Sequence, residues 1–159
     1  IFSKRGAIHA LQAAQADGRV RFLGITGHYD PAVLIEAIRR YPFDTVLVAL
    51  NAADRTRLSF IDRLLPVAQE RHLGIIGMKV VAKGALLHPD GIATMRQALS
   101  YVLSLPISTA IIGFQRPEEI EEVMEIARTF KPLPVEEMAR LEALAPPYAK
   151  KSTWFKRPD

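Results

Sequence analysis

The chain contains no cysteine. That excludes disulfides, cysteine-held iron–sulfur clusters and a thiol nucleophile within it, and it is compatible with the cytoplasm. No apolar run approaches the roughly 20 residues a membrane-spanning helix needs, so no membrane role is expected. The first residues, Ile1-Phe-Ser-Lys-Arg5, lack the long apolar core of a secretory signal. Their start on Ile rather than Met leads us to expect more chain upstream. No pair of histidines or carboxylates has metal-ligand spacing. A basic stripe interleaved with aromatics is also missing, which argues against nucleic acid as a partner. The 21 Lys and Arg against 17 Asp and Glu give a net charge of +4. Much of that excess sits at the end, in Lys150, Lys151, Lys156 and Arg157 against Asp159.

What the chain has is four short apolar runs, each followed by a helix-like stretch. They are Arg21-Phe-Leu-Gly-Ile-Thr26, Thr45-Val-Leu-Val-Ala-Leu-Asn51, Gly74-Ile-Ile-Gly-Met-Lys79 and Thr109-Ala-Ile-Ile-Gly113. Consecutive rather than alternating apolar residues predict strands of a parallel sheet buried on both faces. The runs end roughly 25, 28 and 34 residues apart. A (β/α)8 barrel of about 250 residues spends roughly 31 per strand and covering helix. The fold class expected is therefore α/β of the (β/α)8 TIM-barrel type, here a half-barrel of about four βα units. In such barrels the chemistry collects where strands end.

Helices are expected over residues 6–16, 30–40, 59–72, 92–103, 117–130 and 135–144. Asp17-Gly18 stops the first, and Asp30-Pro31 opens the second as cap and first helical residue. Val33, Leu34, Ala37 and Ile38 give the second helix its apolar face. Pro66 kinks the third or marks its true first turn. Residues 80–91 form a long loop for a βα junction, a feature often tied to function. Residues 1–146 read as one domain. Residues 147–159 read as an irregular basic tail that Tyr148, Trp154 and Phe155 could pin to a surface.

The run Gly18-Arg-Val-Arg-Phe-Leu-Gly-Ile-Thr-Gly-His28 resembles the fifth strand of the aldo/keto reductases. Phe43-Asp-Thr-Val-Leu-Val-Ala-Leu-Asn51 is similar to that family's sixth strand, and Leu73-Gly-Ile-Ile-Gly-Met-Lys-Val80 to its seventh. Ile107-Ser-Thr-Ala-Ile-Ile-Gly-Phe-Gln-Arg-Pro-Glu-Glu-Ile-Glu-Glu122 is similar to its eighth strand and following helix. Four matches in order and spacing make the chain look like the C-terminal half of the family's barrel.

The resemblance implies NAD(P)H-dependent reduction of a small-molecule carbonyl substrate by hydride transfer, with NADP as the cofactor. It implies nicotinamide contacts at Thr26, Gly27 and Met78. It also implies phosphate or adenine contacts at Lys79, Val80, Gly113, Phe114, Arg116 and Glu122, and a substrate pocket touching His28 and Asn51. This sequence departs from the family's pattern at Gly27, which lacks the usual amide. Leu47 replaces a glutamine, Met78 a stacked tyrosine and Val123 an asparagine. Arg116 and Lys79 alone favour NADPH over NADH, and four glutamates, Glu118, Glu119, Glu121 and Glu122, crowd the same helix start.

No catalytic residue is expected here. The family's aspartate, tyrosine, lysine and frequent histidine come from its first four strands, and Tyr29 lacks a lysine–aspartate pair nearby. The missing N-terminal half of the same barrel is then the implied partner. Two other readings stand beside this one: a non-catalytic nucleotide-binding or regulatory half-barrel, and a Schiff-base lyase using Lys79.

Overall fold

The computed structural model describes residues 1–156; Arg157 and Asp159 of the basic tail lie outside them. The elements run α1 (Ala7–Ala16), β1 (Gly24–Gly27), α2 (Pro31–Arg40), β2 (Thr45–Ala49), α3 (Phe60–Arg63), α4 (Leu65–Glu70), β3 (Gly74–Met78), α5 (Met95–Leu103), β4 (Thr109–Ala110), α6 (Pro117–Arg128), α7 (Val135–Leu144) and α8 (Ala149–Ser152). The sheet order is β1-β2-β3-β4, every pair is parallel, and a helix follows each strand. The fourth strand is the shortest, because only Ile76↔Thr109 and Gly77↔Ala110 are in register.

The expectation of strands buried on both faces is corrected. Ile25, Val46, Val48 and Ile75 are buried, whereas Gly24 and Thr26 are exposed and Leu47, Ile76 and Met78 are half-buried. Helices cover one face of the sheet. Among the described residues no element covers the other, so a run of apolar residues acquires the alternation of a one-sided sheet.

The covered face holds the core. Phe60, Leu64, Leu65 and Ala68 from α3, α4 and the break between them, and Leu99 and Val102 from α5, join Val46, Val48 and Ile75 in one cluster. Burying each large side chain contributes about 1.5–3 kcal/mol. On α2 the cluster takes Leu34, Ala37 and Ile38, but Val33 faces solvent at 65 % exposure.

The long third helix is two. Its break falls at Leu64, with Pro66 in the first turn of α4 where its missing N–H costs no helical bond. Likewise α5 begins at Met95, later than the expected 92. Thr94 and Gln97 form a capping box that fixes the start, with the Gln97 N–H donating to the Thr94 hydroxyl at 3.2 Å. The tail is also corrected. Pro146–Tyr148 and Trp154–Lys156 are single 3₁₀ turns flanking α8, so residues 146–156 are ordered against the body. None of the described helices is long and apolar enough to cross a membrane.

Candidate functional site

Because all four strands are parallel, their carboxyl ends share one edge. A cavity of about 490 Å³ opens there, lined by residues 78–83 after β3 and 111–115 after β4. Five of the residues named from sequence meet in it: Met78, Lys79, Val80, Gly113 and Phe114. The lining is apolar apart from Lys79, Lys83 and Gln115.

The loop after β3 has an unusual backbone. Lys79, Ala82 and Lys83 hold φ of 60°, 48° and 58°. This is the left-handed region, costly for side chains with a Cβ, and such strain tends to sit at functional sites. Lys79 Nζ lies 5.8 Å from the Trp154 ring centroid and Lys83 Nζ 5.3 Å from it. Two ammonium groups therefore share one indole at the cavity's rim, a favourable contact between a cation and the ring's negative face.

The other named residues fall outside the cavity lining. The Thr26 hydroxyl donates to the Leu47 carbonyl at 3.0 Å, leaving its lone pairs as acceptors. Gly27 sits where a Cβ would meet the Leu34 side chain at 3.1 Å, so its small size serves the packing of α2 on β1. His28 is half-buried with its ring 6.3 Å from that of Phe155, centroid to centroid. Burial holds its imidazole below the ordinary 6.5, and the Lys79 charge lowers it further.

Asn51 is 2 % exposed. Its amide donates to the Lys79 carbonyl at 3.1 Å and accepts the Ala53 N–H at 2.9 Å. It braces the turns after β2 and β3, which is how it bears on the edge. At Gly113 a side chain's Cβ would meet no atom within 4 Å, so the space there is open.

At the start of α6, Arg116 is exposed and paired with Glu119 at 3.3 Å. The second Glu119 oxygen accepts the Gln115 N–H at 2.8 Å. That bond is the main reason the Glu119 carboxyl lies below its usual range, with Arg116 adding to it. A helix start suited to an anion thus already holds one of its own. Glu122 is exposed on the same helix.

Sequence reasoning missed Asp54 and the role of Lys156. Both are buried, and they form an ion pair. Asp54 stands out as a carboxylate directly after Ala52-Ala53, but its partner lies 102 residues further on, beyond the reach of any local pattern. A second network links the same region. The Tyr101 O–H donates to Glu142 at 2.8 Å, and Arg55 pairs with Glu142 at 3.1 Å and Asp62 at 2.6 Å. Burial, and then Glu142, push the Tyr101 phenol far up, which suits a structural tie.

Neither a protein-family model nor a curated protein matches the chain by sequence. Solved structures do match. Aldo-keto reductase AKR11C1 from Bacillus halodurans superposes with a TM-score of 0.69 in its holo form, at 21 % identity, over 87 % of this chain and 55 % of that one. The fold is that of about half an aldo-keto reductase barrel.

The glycerol dehydrogenase AKR11B4 from Gluconobacter oxydans gives a TM-score of 0.65 at 18 % identity, over 94 % of this chain and 54 % of that one. The thermostable aldo-keto reductase Tm1743, solved with the inhibitor epalrestat, gives 0.63 at 22 % identity, over 86 % and 53 %. The chain thus spans about half the length of the structures it matches. The expected (β/α)8-type fold is borne out, and the open sheet face lies where a closed barrel has its interior.

Proposed function

We propose that this chain belongs to the aldo/keto reductases and supplies the cofactor-holding half of an NADP-dependent carbonyl reductase. The observation that carries the reading is the cavity at the shared carboxyl edge, where two lysines stand over apolar walls. Dinucleotide phosphates need cations, and its rings and ribose need apolar walls; Lys79 and Lys83 supply the first, Met78, Val80, Ile111 and Phe114 the second. When bound, the dinucleotide supplies the hydride that reduces an aldehyde or ketone.

This chain's residues bind and orient. Met78 covers a ring face with a polarizable thioether. The Thr26 oxygen accepts a hydrogen bond while its own O–H still donates to the Leu47 carbonyl. Asn51 fixes the Lys79 carbonyl and, through it, the strained loop. Val80 walls the cavity, Gly113 leaves room, and His28 lies on the substrate side. Glu122 takes the adenine amino group. Arg116 reaches a 2′-phosphate only by leaving Glu119, so that contact is made by exchange of one anion for another. Proton donation to the carbonyl falls to the other half of the barrel, which completes the edge.

Lys79→Ala tests the reading. Removing a charge-assisted bond costs about 1.5–3 kcal/mol, so NADPH affinity, followed by quenching of its nicotinamide fluorescence, is expected to fall accordingly in the longest natural chain containing these residues. Unchanged affinity would move the phosphates elsewhere.

A further inference from the structure

The segment after α7 is tied to the loop after every one of the first three strands. Tyr148 stacks on His88 with centroids 4.4 Å apart. Its hydroxyl is hydrogen-bonded to His88 Nδ1 at 2.8 Å. Phe155 meets His28 after β1, and Trp154 meets Lys79 and Lys83 after β3. Lys156 enters the loop after β2. Its Nζ donates to the carbonyls of Asp54, Arg57 and Leu58 at 3.1, 3.0 and 3.1 Å and to the Asp54 carboxylate.

This cage is built, not incidental. The Lys156 and Asp54 side chains are each 1 % exposed. The other Asp54 oxygen accepts the Ser59 hydroxyl and the Ile61 N–H, both at 2.9 Å, which locks the carboxylate at the start of α3. Leu58, which contributes one cage carbonyl, holds a left-handed φ of 43°, a strained conformation for leucine. A buried ammonium is tolerated only when its three protons find acceptors. Here four oxygens meet them.

We propose that Lys156 is a positioning residue whose caged ammonium clamps residues 148–156 as a strap across the carboxyl edge, holding Trp154 against Lys79 and Lys83. Only Phe155 separates the clamp from the indole, so the cage sets where the indole sits. With the clamp closed, both ammonium groups engage the ring, and an anion entering the cavity has to draw them from it. That last consequence rests on the cofactor reading above; the clamp itself does not.

The test uses no ligand. Amine acylation of the full chain, read by mass spectrometry, is combined with hydrogen exchange. In the wild type Lys156 stays unmodified while the exposed Lys131 reacts quickly. In K156M, Lys79 is expected to react several-fold faster, and the amides at 153 and 156, bonded to the Ala149 and Thr153 carbonyls, to exchange several-fold faster. Lys131 labelling and exchange in β3 stay unchanged. Equal Lys79 labelling and equal strap exchange in K156M and wild type would overturn the clamp. Should K156M lose protection in β3, W154A decides: faster Lys79 labelling with Lys156 still unmodified supports the strap, and unchanged Lys79 labelling overturns it.

Discussion

His28 shows how a residue placed by a strand end acquires a property its sequence position does not reveal. Burial against Phe155, and the nearby Lys79 charge, hold its pKa below 6.5 in the folded chain. The unfolded state therefore binds the proton more readily, and folding stability falls as pH drops through the unfolded value. Above about pH 6.5 the contribution is fully present. Urea midpoints taken from about pH 7.5 down to 5.5 should decline more steeply in the wild type than in His28→Gln. Parallel curves for the two would show that His28 does not titrate differently on folding.

Loop polarity alone marks His28 as no more than a turn residue. That Thr26, Met78 and Lys79 stand at strand ends is legible in the sequence, because strand ends are. Asp54 is not, because burying a carboxylate depends on a lysine 102 residues away.

At the scale of elements, caps and prolines announce themselves and packing does not. The Asp30 carboxylate accepts the Ala32 N–H at 2.8 Å, with Pro31 opening α2 as its sequence suggests. Gly18 follows α1 with φ of 71°, as a helix-stopping glycine should. The sequence pattern starts α5 too early because Ile92 is apolar and buried, which continues a helical spacing. Ile92 sits instead on an isolated bridge to Leu87, and Thr94 caps the helix two residues later.

Replacing Thr94 by alanine removes the hydroxyl acceptor from the Gln97 N–H. The loss expected is about 1 kcal/mol, the usual cost of an N-cap, measured as a shift in urea midpoint at constant slope. A shift indistinguishable from zero would mean that Gln97 alone secures the helix start. The tail departs from its sequence pattern for a different reason. Its composition is basic and proline-rich, but its order comes from Tyr148, Trp154, Phe155 and Lys156 each finding a distant loop.

At the scale of the whole molecule, order and spacing of four strands carry the half-barrel, while the state of its inner face follows only from structure. At the carboxyl edge Ile111 and Phe114 are 53 % and 41 % exposed, and among the described residues β1 and β4 each have one unpaired side. Open sheet edges and exposed apolar surface template pairing. The 159-residue chain by itself is expected to scatter light as a dimer or larger species at micromolar concentration. A well-dispersed monomer with one sharp unfolding transition would mean the open face is self-sufficient.

The central claim, that a nicotinamide dinucleotide lies along the carboxyl edge, is tested most directly by hydrogen exchange with and without NADPH. The longest natural chain containing these residues is the right material. The account predicts added protection at 78–83 and 111–115, the two walls of the cavity, with weaker protection at 26–28 and none over α1. Protection confined to the amino-terminal ends of the strands, or none at 78–83 under saturating NADPH, would contradict it.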